Sequence, residues 1–342
     1  MLSLSIRNFG QDEWAGLVSQ FQDLSLLQTW EYGLAKAQTG SWKVQRGIFL
    51  ENEHVVGAFQ ALVRTIPGFH RGLVWINRGP LWERDGNSNS SRLLSMIGEL
   101  RRYWAHQRHM YLRVAPSSRE GQIEPGSFQE IGYRLDESLS GWASARVDLF
   151  QPAETLRGRL QQKWRNCLNK AERLGLVVES GSGASLFEGF LAEYSRMLAD
   201  RRYHSSVTPA LLSHLQAVLP PERKLWVLAA RQGECALGSV LLARYGAAAE
   251  YLAGTVNEDG RRVNAGQLLL WRTLCEMKDQ GYRWFDLGGM DPERTPSGIF
   301  HFKAGVGGTP HRLIGEIEAH DGSWISRILR SRVHHARQAV GV

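Results

Sequence analysis

Leu93, Ile97, Leu100 and Trp104 recur at three- and four-residue spacing, the period of one helix face, and residues 110–114 after them pattern as a strand. The same order returns at 267–280, where Leu268, Trp271 and Cys275 share a helical face. There Gly281 supplies a stop and 282–287 reads as the following strand. Ahead of each helix lies a hairpin-like stretch, HVVGAFQALVR (54–64) and ECALGSVLLAR (234–244). Each has a glycine four or five residues in and an apolar run that closes on arginine. After each strand comes a turn with Phe and Gly, FQEIGY (128–133) and FKAGVGG (302–308). Four features in one order, twice over, predict an internal duplication. Chance recurrence of hairpin, helix and strand in a mixed fold is the competing account.

The half boundary is expected near Phe150, where strand-like residues 143–149 give way to a polar, capped helix start at 152–155. One long helix is predicted from there. Leu156, Leu160, Trp164, Leu168 and Ala171 form its apolar stripe, and Arg159, Lys163, Lys170 and Arg173 form a basic stripe beside it. Such a stripe is either a solvated face or a grip on a phosphate backbone. At the other end, residues 322–337 set Trp324, Ile325, Ile328, Leu329 and Val333 against Arg327, Arg330, Arg332 and Arg337. They read as a basic amphipathic helix whose apolar face packs on the first domain, with a peripheral membrane-surface or tRNA contact as the sharper alternative.

Composition narrows the class without naming a function. The 342 residues, 43% hydrophobic, suffice for two domains with a core each. No apolar run approaches the ~18 residues of a membrane span, and Arg7 and Asn8 fall where a signal peptide would be apolar, so a cytoplasmic location is expected. Three cysteines, Cys167, Cys235 and Cys275, without CxxC pairing or histidines at metal-ligand spacing, read as reduced thiols and give no metal site. A net charge of +7 favours anionic partners such as nucleic acid, nucleotide phosphates or lipid headgroups. No GxSxG elbow and no cysteine in a catalytic setting is present, which argues against a covalent intermediate.

Five strings, LLQTWEYGLAK (26–36), INRGP (76–80), KWRNCLNKAERLGLVVE (163–179), EYLAGT (250–255) and WFDLGGMDPERTPSGIFHFKAGVGG (284–308), together resemble the FemABX family of non-ribosomal peptidyl transferases across nearly the whole chain. The resemblance implies an α/β (α+β) chain of two tandem GNAT-like acyltransferase domains, each a mixed central sheet flanked by helices. Their expected bounds are 1–150, with 319–342 packing back on it, and 151–318. It also implies transfer of an amino acid from aminoacyl-tRNA to an amine of a UDP- or lipid-linked peptidoglycan precursor, in cell-wall and cell-shape biogenesis. The donor is a co-substrate, no cofactor is needed, and a monomer is expected. The chain lacks the helical-hairpin insertion with which some members contact tRNA, leaving that grip to Arg159, Lys163, Lys170 and Arg173.

Aminoacyl transfer needs a neutral amine, stabilisation of a tetrahedral oxyanion and a proton acceptor. Lys303, read as lying in the glycine-rich turn after Phe302, would by resemblance bind the tRNA terminus or stabilise the developing charge, with Phe302 shaping the pocket; an exposed turn lysine is the plain alternative. Asp286 ends a strand and would orient that turn or the amine, or else bond backbone amides. Whether Glu250 and Asp286 meet is not legible in sequence. Lys36, Trp30, Tyr251, Arg201, Arg202 and Tyr203 are the matched acceptor-binding positions; Tyr251 reads equally as a half-buried strand tyrosine. Arg261 and Arg262 precede a helix start but miss the Q/R-x-x-G-x-G/A spacing of an acyl-CoA loop, leaving a plain anion site. Two rival functions remain: an N-acyltransferase of the same scaffold using an acyl-CoA or carrier-protein thioester, in exopolysaccharide or natural-product synthesis, and a non-catalytic protein binding envelope precursors or RNA.

Overall fold

The computed structural model describes residues 2–84, 86, 89–136, 140–201 and 205–340, with backbone alone at 201 and 336–340. In chain order the elements are β1 (Leu2–Ile6), α1 (Gln11–Val18), α2 (Trp30–Thr39), β2 (Lys43–Glu51), β3 (His54–Thr65), β4 (Gly72–Asn77), α3 (Ser90–Leu100), β5 (Tyr111–Ala115), α4 (Pro125–Glu130) and β6 (Arg134–Leu135). Then come β7 (Ala143–Asp148), α5 (Ala153–Arg159), α6 (Gln162–Arg173), β8 (Val177–Gly181), α7 (Ala184–Arg201), α8 (Pro209–Val218), β9 (Trp226–Gln232), β10 (Cys235–Tyr245) and β11 (Ala248–Val256). The chain ends with α9 (Glu258–Arg262), α10 (Ala265–Asp279), β12 (Trp284–Asp286), α11 (Ser297–Ala304), β13 (Thr309–Arg312), β14 (Ile317–Ala319) and α12 (Trp324–Val340).

Two compact units result, Met1–Trp142 with Arg312–Val342, and Ala143–His311. The first holds the sheet β1-β2-β3-β4-β5-β14-β6, the second the sheet β13-β7-β12-β11-β10-β9-β8. The duplication is visible in the ladders. Strands β1 to β4 pair antiparallel in sequence and β4 then pairs parallel with β5; β8 to β11 do the same before β11 pairs parallel with β12. A parallel step needs a crossover, and the predicted helices α3 and α10 supply it. The sixth strand comes from elsewhere in each case: β14 joins β5 from the far end of the chain, and β7, which sequence places before the half boundary, joins β12.

Hydrophobic spacing translates directly into burial. Leu93, Ile97, Leu100 and Trp104 all lie in the first core, although α3 continues through 101–107 as a π-helical stretch, and burying each such side chain contributes about 1.5–3 kcal/mol. In α10, Leu268 and Trp271 are joined by Leu269, Leu270, Leu274 and Met277, because the helix faces the sheet on one side and α6 on another. Gly281 does stop it: φ is +85°, the amide of Tyr282 reaches the Met277 carbonyl and that of Gly281 the Lys278 carbonyl, a Schellman closure.

The predicted long helix is instead two. Leu160 and Gln161 are extended, and the Gln161 amide bonds to the Gly305 carbonyl at 2.9 Å rather than within a helix. The break is silent in sequence because Leu156, Leu160 and Trp164 stay buried across it and no proline marks it. Among the described residues no helix is long and apolar enough to cross a membrane.

Candidate active site

In the second unit, pairing between the parallel strands β11 and β12 ends at Glu250 opposite Asp286. The carboxyl ends of parallel strands are where open α/β sheets hold ligands. Just beyond, β11 carries an extra residue, Leu252, between the partners of Leu241 and Leu242. A bulge resets side-chain alternation, so Tyr251 and Gly254 share a face despite being three apart. A Cβ on Gly254 would stand 2.0 Å from the Tyr251 hydroxyl oxygen, so any side chain there would have to displace the Tyr251 ring.

Lys303 closes this site. It lies in α11, not in a glycine-rich turn as read from sequence, and it is 6% exposed. The glycines Gly305, Gly307 and Gly308 follow the helix and serve its packing: a Cβ on Gly305 would meet the Trp164 ring at 2.3 Å. Lys303 Nζ donates to the Gly289 carbonyl at 3.1 Å and stands 4.8 Å from the centre of the Tyr251 ring. Burial lowers its pKa from 10.5 to about 8, against the opposing pull of Asp286 and Glu250. Gly288, at φ +69°, lets the loop pass: a Cβ there would be 2.4 Å from the Tyr251 carbonyl and 3.5 Å from Lys303 Nζ.

Asp286 takes the backbone-bonding role. Its Oδ1 accepts the Gly288 amide at 2.9 Å and the Ser144 hydroxyl, which also lies 2.8 Å from the Gly288 carbonyl and has one proton to give. Arg146 Nε is 3.6 Å and His311 Nε2 3.9 Å from its Oδ2. Glu250 accepts from the Tyr245 hydroxyl at 2.8 Å. Phe302 is half-buried; its carbonyl accepts from Trp164 Nε1 at 2.9 Å, and a Cβ on Gly266, at the start of α10, would touch its ring at 3.5 Å.

Three of the five sequence strings thus converge here: Tyr251, Lys303 with Asp286, and Trp164. The other two converge in the first unit. Gln28 Nε2 donates to the Asn77 carbonyl at 2.8 Å and Gln28 Oε1 accepts the Gln60 amide at 2.7 Å. Gln60 in turn accepts from Arg46 Nε at 2.9 Å and donates to the Thr29 carbonyl at 2.8 Å. Trp30 is part of this support, with the Arg46 guanidinium 3.5 Å above its ring. Lys36, half-buried two turns along α2, has its pKa lowered by burial and by the neighbouring Arg64.

Of the remaining positions, Arg159 ends α5 while Lys163, Lys170 and Arg173 lie on α6; all four are exposed, on two helices rather than one stripe. Arg201 ends α7 with its side chain undescribed, and Arg202 and Tyr203 lie outside the described residues. The anion site read at Arg261 and Arg262 is engaged internally: Arg262 pairs with Glu258 and Asp259, and Arg261 donates to the Val256 carbonyl at 2.8 Å. Ser144, Arg146 and His311 were not legible, since their partner Asp286 is remote in sequence from the first two and no motif links them.

Residues 158–304 match the family of the Acetyltransferase (GNAT) domain. Compared by sequence with curated proteins, the chain has no significant match. Among solved structures it is similar to FemX, with TM-score 0.75, 14% identity, and 92% of this chain and 96% of that one covered. A conserved protein of unknown function from Bacteroides thetaiotaomicron has TM-score 0.56 at 8% identity, covering 92% and 99%. The C-terminal domain of a putative lysylphosphatidylglycerol synthetase from Agrobacterium fabrum has TM-score 0.52 at 13% identity, covering 93% and 94%. The chain therefore has a FemX-like tandem GNAT fold, and the matched GNAT domain lies in the unit that holds Lys303, Asp286 and Tyr251.

Proposed function

We propose that the chain is an aminoacyltransferase that moves an amino acid from aminoacyl-tRNA to an amine of a peptidoglycan precursor. The GNAT match supports acyl transfer. The observation that carries the reading to the site is the buried Lys303 ammonium at the parting of β11 and β12, with one N–H spent on Gly289 and no acceptor for the other two among the described residues. Attack of a neutral amine on the ester carbonyl forms the C–N bond and pushes charge onto the carbonyl oxygen. Lys303 stabilises that oxyanion, the C–O bond to the ribose breaks, and the amine's proton ends on the leaving ribose oxygen. An activated ester needs no enzyme nucleophile, in keeping with the free, uninvolved cysteines Cys167, Cys235 and Cys275.

Lys163, Lys170 and Arg173, exposed on α6, supply the phosphate grip in this reading. Lys36 on α2 is the acceptor's phosphate contact. The engagement of Arg262 by Glu258 and Asp259, and of Arg261 by the Val256 carbonyl, disfavours an acyl-CoA pyrophosphate at the start of α10. The GNAT match itself favours a thioester donor, so the experiment sets the two side by side. Purified protein incubated with mixed radiolabelled aminoacyl-tRNAs and a UDP-linked peptide precursor is expected to give labelled product that vanishes when the donor is treated with RNase beforehand. Transfer from acyl-CoA, insensitive to RNase, would overturn the tRNA reading.

A further inference from the structure

Helix α12 and the edge of the first sheet line an open cavity of about 590 Å³ with three arginines, Arg134, Arg327 and Arg330, and three histidines, His320, His334 and His335. The acids facing it are already engaged. Glu318 accepts from the Tyr111 hydroxyl, from Arg330 and from His334 at 3.2 Å, and Asp136 lies 3.7 Å from His334. Asp321 is held by Arg71, Ser323 and Ser326. Arg134 and Arg327 are exposed and have no carboxylate partner among the described residues, so the cavity carries unspent positive charge.

Beside it the same helix turns apolar groups outward. Ser326 is buried, which fixes the inner face; at 100° per residue Trp324 and Ile328 then stand side by side on the outer face, flanked by Arg327 and Arg332. Trp324 is 68% and Ile328 45% exposed. The turn between β3 and β4 adds Phe69, 58% exposed, and is tied to the start of α12 by Arg71, bonded to Asp321 at 2.8 Å and to the Ser323 hydroxyl at 2.7 Å.

An RNA backbone would satisfy the arginines and leave Ile328 in water. A bilayer surface satisfies both, offering phosphate at headgroup depth and an apolar boundary just below it. We propose that this cavity takes the phosphate of an anionic phospholipid headgroup while Trp324 and Ile328 enter the headgroup–acyl boundary, so that α12 docks the first unit on an anionic membrane surface. The inference does not depend on the acyl donor.

The test is co-sedimentation of the full chain with vesicles of phosphatidylcholine alone and of phosphatidylcholine mixed with phosphatidylglycerol. Retention by the mixed vesicles only is expected, weakened about five-fold by Arg134→Gln and again by Arg327→Gln, and weakened also by Trp324→Ala. All three side chains are exposed, and an unchanged urea midpoint for each variant keeps the comparison clean. Retention that ignores charge, or that survives Arg134→Gln with Arg327→Gln, overturns the proposal. So does binding of RNA or inorganic phosphate that Arg327→Gln weakens while vesicles are not retained.

Discussion

The Lys303 ammonium stands over the Tyr251 ring, 4.8 Å from its centre, while the Tyr251 carbonyl closes against Gly288 beneath it. One tyrosine therefore supplies both a face for the cation and a wall for the loop that presents Gly289. The ring quadrupole partly offsets the loss of water around a charge that is almost fully enclosed.

Removing that charge is expected to lower the single-turnover rate of acyl transfer. Lys303→Ala and Lys303→Met should each fall by about 10²–10³-fold, the scale of a lost oxyanion donor, with circular dichroism unchanged. Since the ammonium is the working form, the wild-type rate, corrected for ionisation of the acceptor amine, should fall as pH rises through about 8. A rate that climbs through the same pH would instead make Lys303 a base.

The same pKa carries a stability consequence of definite sign. Folding lowers the Lys303 pKa from 10.5 to about 8, so between those values the unfolded chain binds the extra proton. Stability must then rise with pH across that window, and the burial penalty is felt in full below it. Relative to Lys303→Met, the wild type should gain up to ~3 kcal/mol between pH 8 and 10.5, read from urea midpoints. A difference that stays flat would mean that the lysine is hydrated.

Gly254→Ala should destabilise the second unit by about 1–3 kcal/mol through overpacking against the Tyr251 hydroxyl. Adding Tyr251→Phe removes the nearest atom and should recover part of the loss, which a double-mutant cycle measures. Strict additivity would mean that the two residues do not meet.

Ser144→Ala deletes the hydroxyl shared by Asp286 and the Gly288 carbonyl. A cost of about 1–3 kcal/mol is expected from the buried acceptor left short of a donor. Because Asp286 and Gly288 set the loop beneath Lys303, kcat should drop with little change in KM; loss of stability alone would assign Ser144 to the fold.

Charge on α6 is tested by salt. Lys163→Gln, Lys170→Gln and Arg173→Gln should each weaken tRNA binding and reduce the salt slope by about one. Filter binding across a salt series reads it, and an unchanged slope would place the tRNA elsewhere.

Periodicity found what periodicity can encode. The apolar faces of α3 and α10, the strands that follow them and the duplicated order were legible because each is set by neighbours within a turn or two. The stop at Gly281 was legible for the same reason. Lys303 was singled out by motif but read into a turn, whereas it lies in α11, and the glycines after it pack against Trp164 and Arg159 rather than opening a turn around it. The break between α5 and α6 was invisible because its cause, the Gly305 carbonyl, lies far along the chain. Ser144 and His311 reach Asp286 only through pairing of strands remote in sequence, and no local pattern reports that.

The strand β14 gives the fold an order in time. Synthesis delivers β5 long before Ile317, Glu318 and Ala319 emerge to cover its edge and to meet the Tyr111 hydroxyl. Until then the nascent first unit leaves the outer edge of β5 open, the kind of edge that recruits other chains. The ribosome must therefore release the whole second unit before the first can finish, and separating the two by cutting near residue 142 would leave the N-terminal piece permanently one strand short.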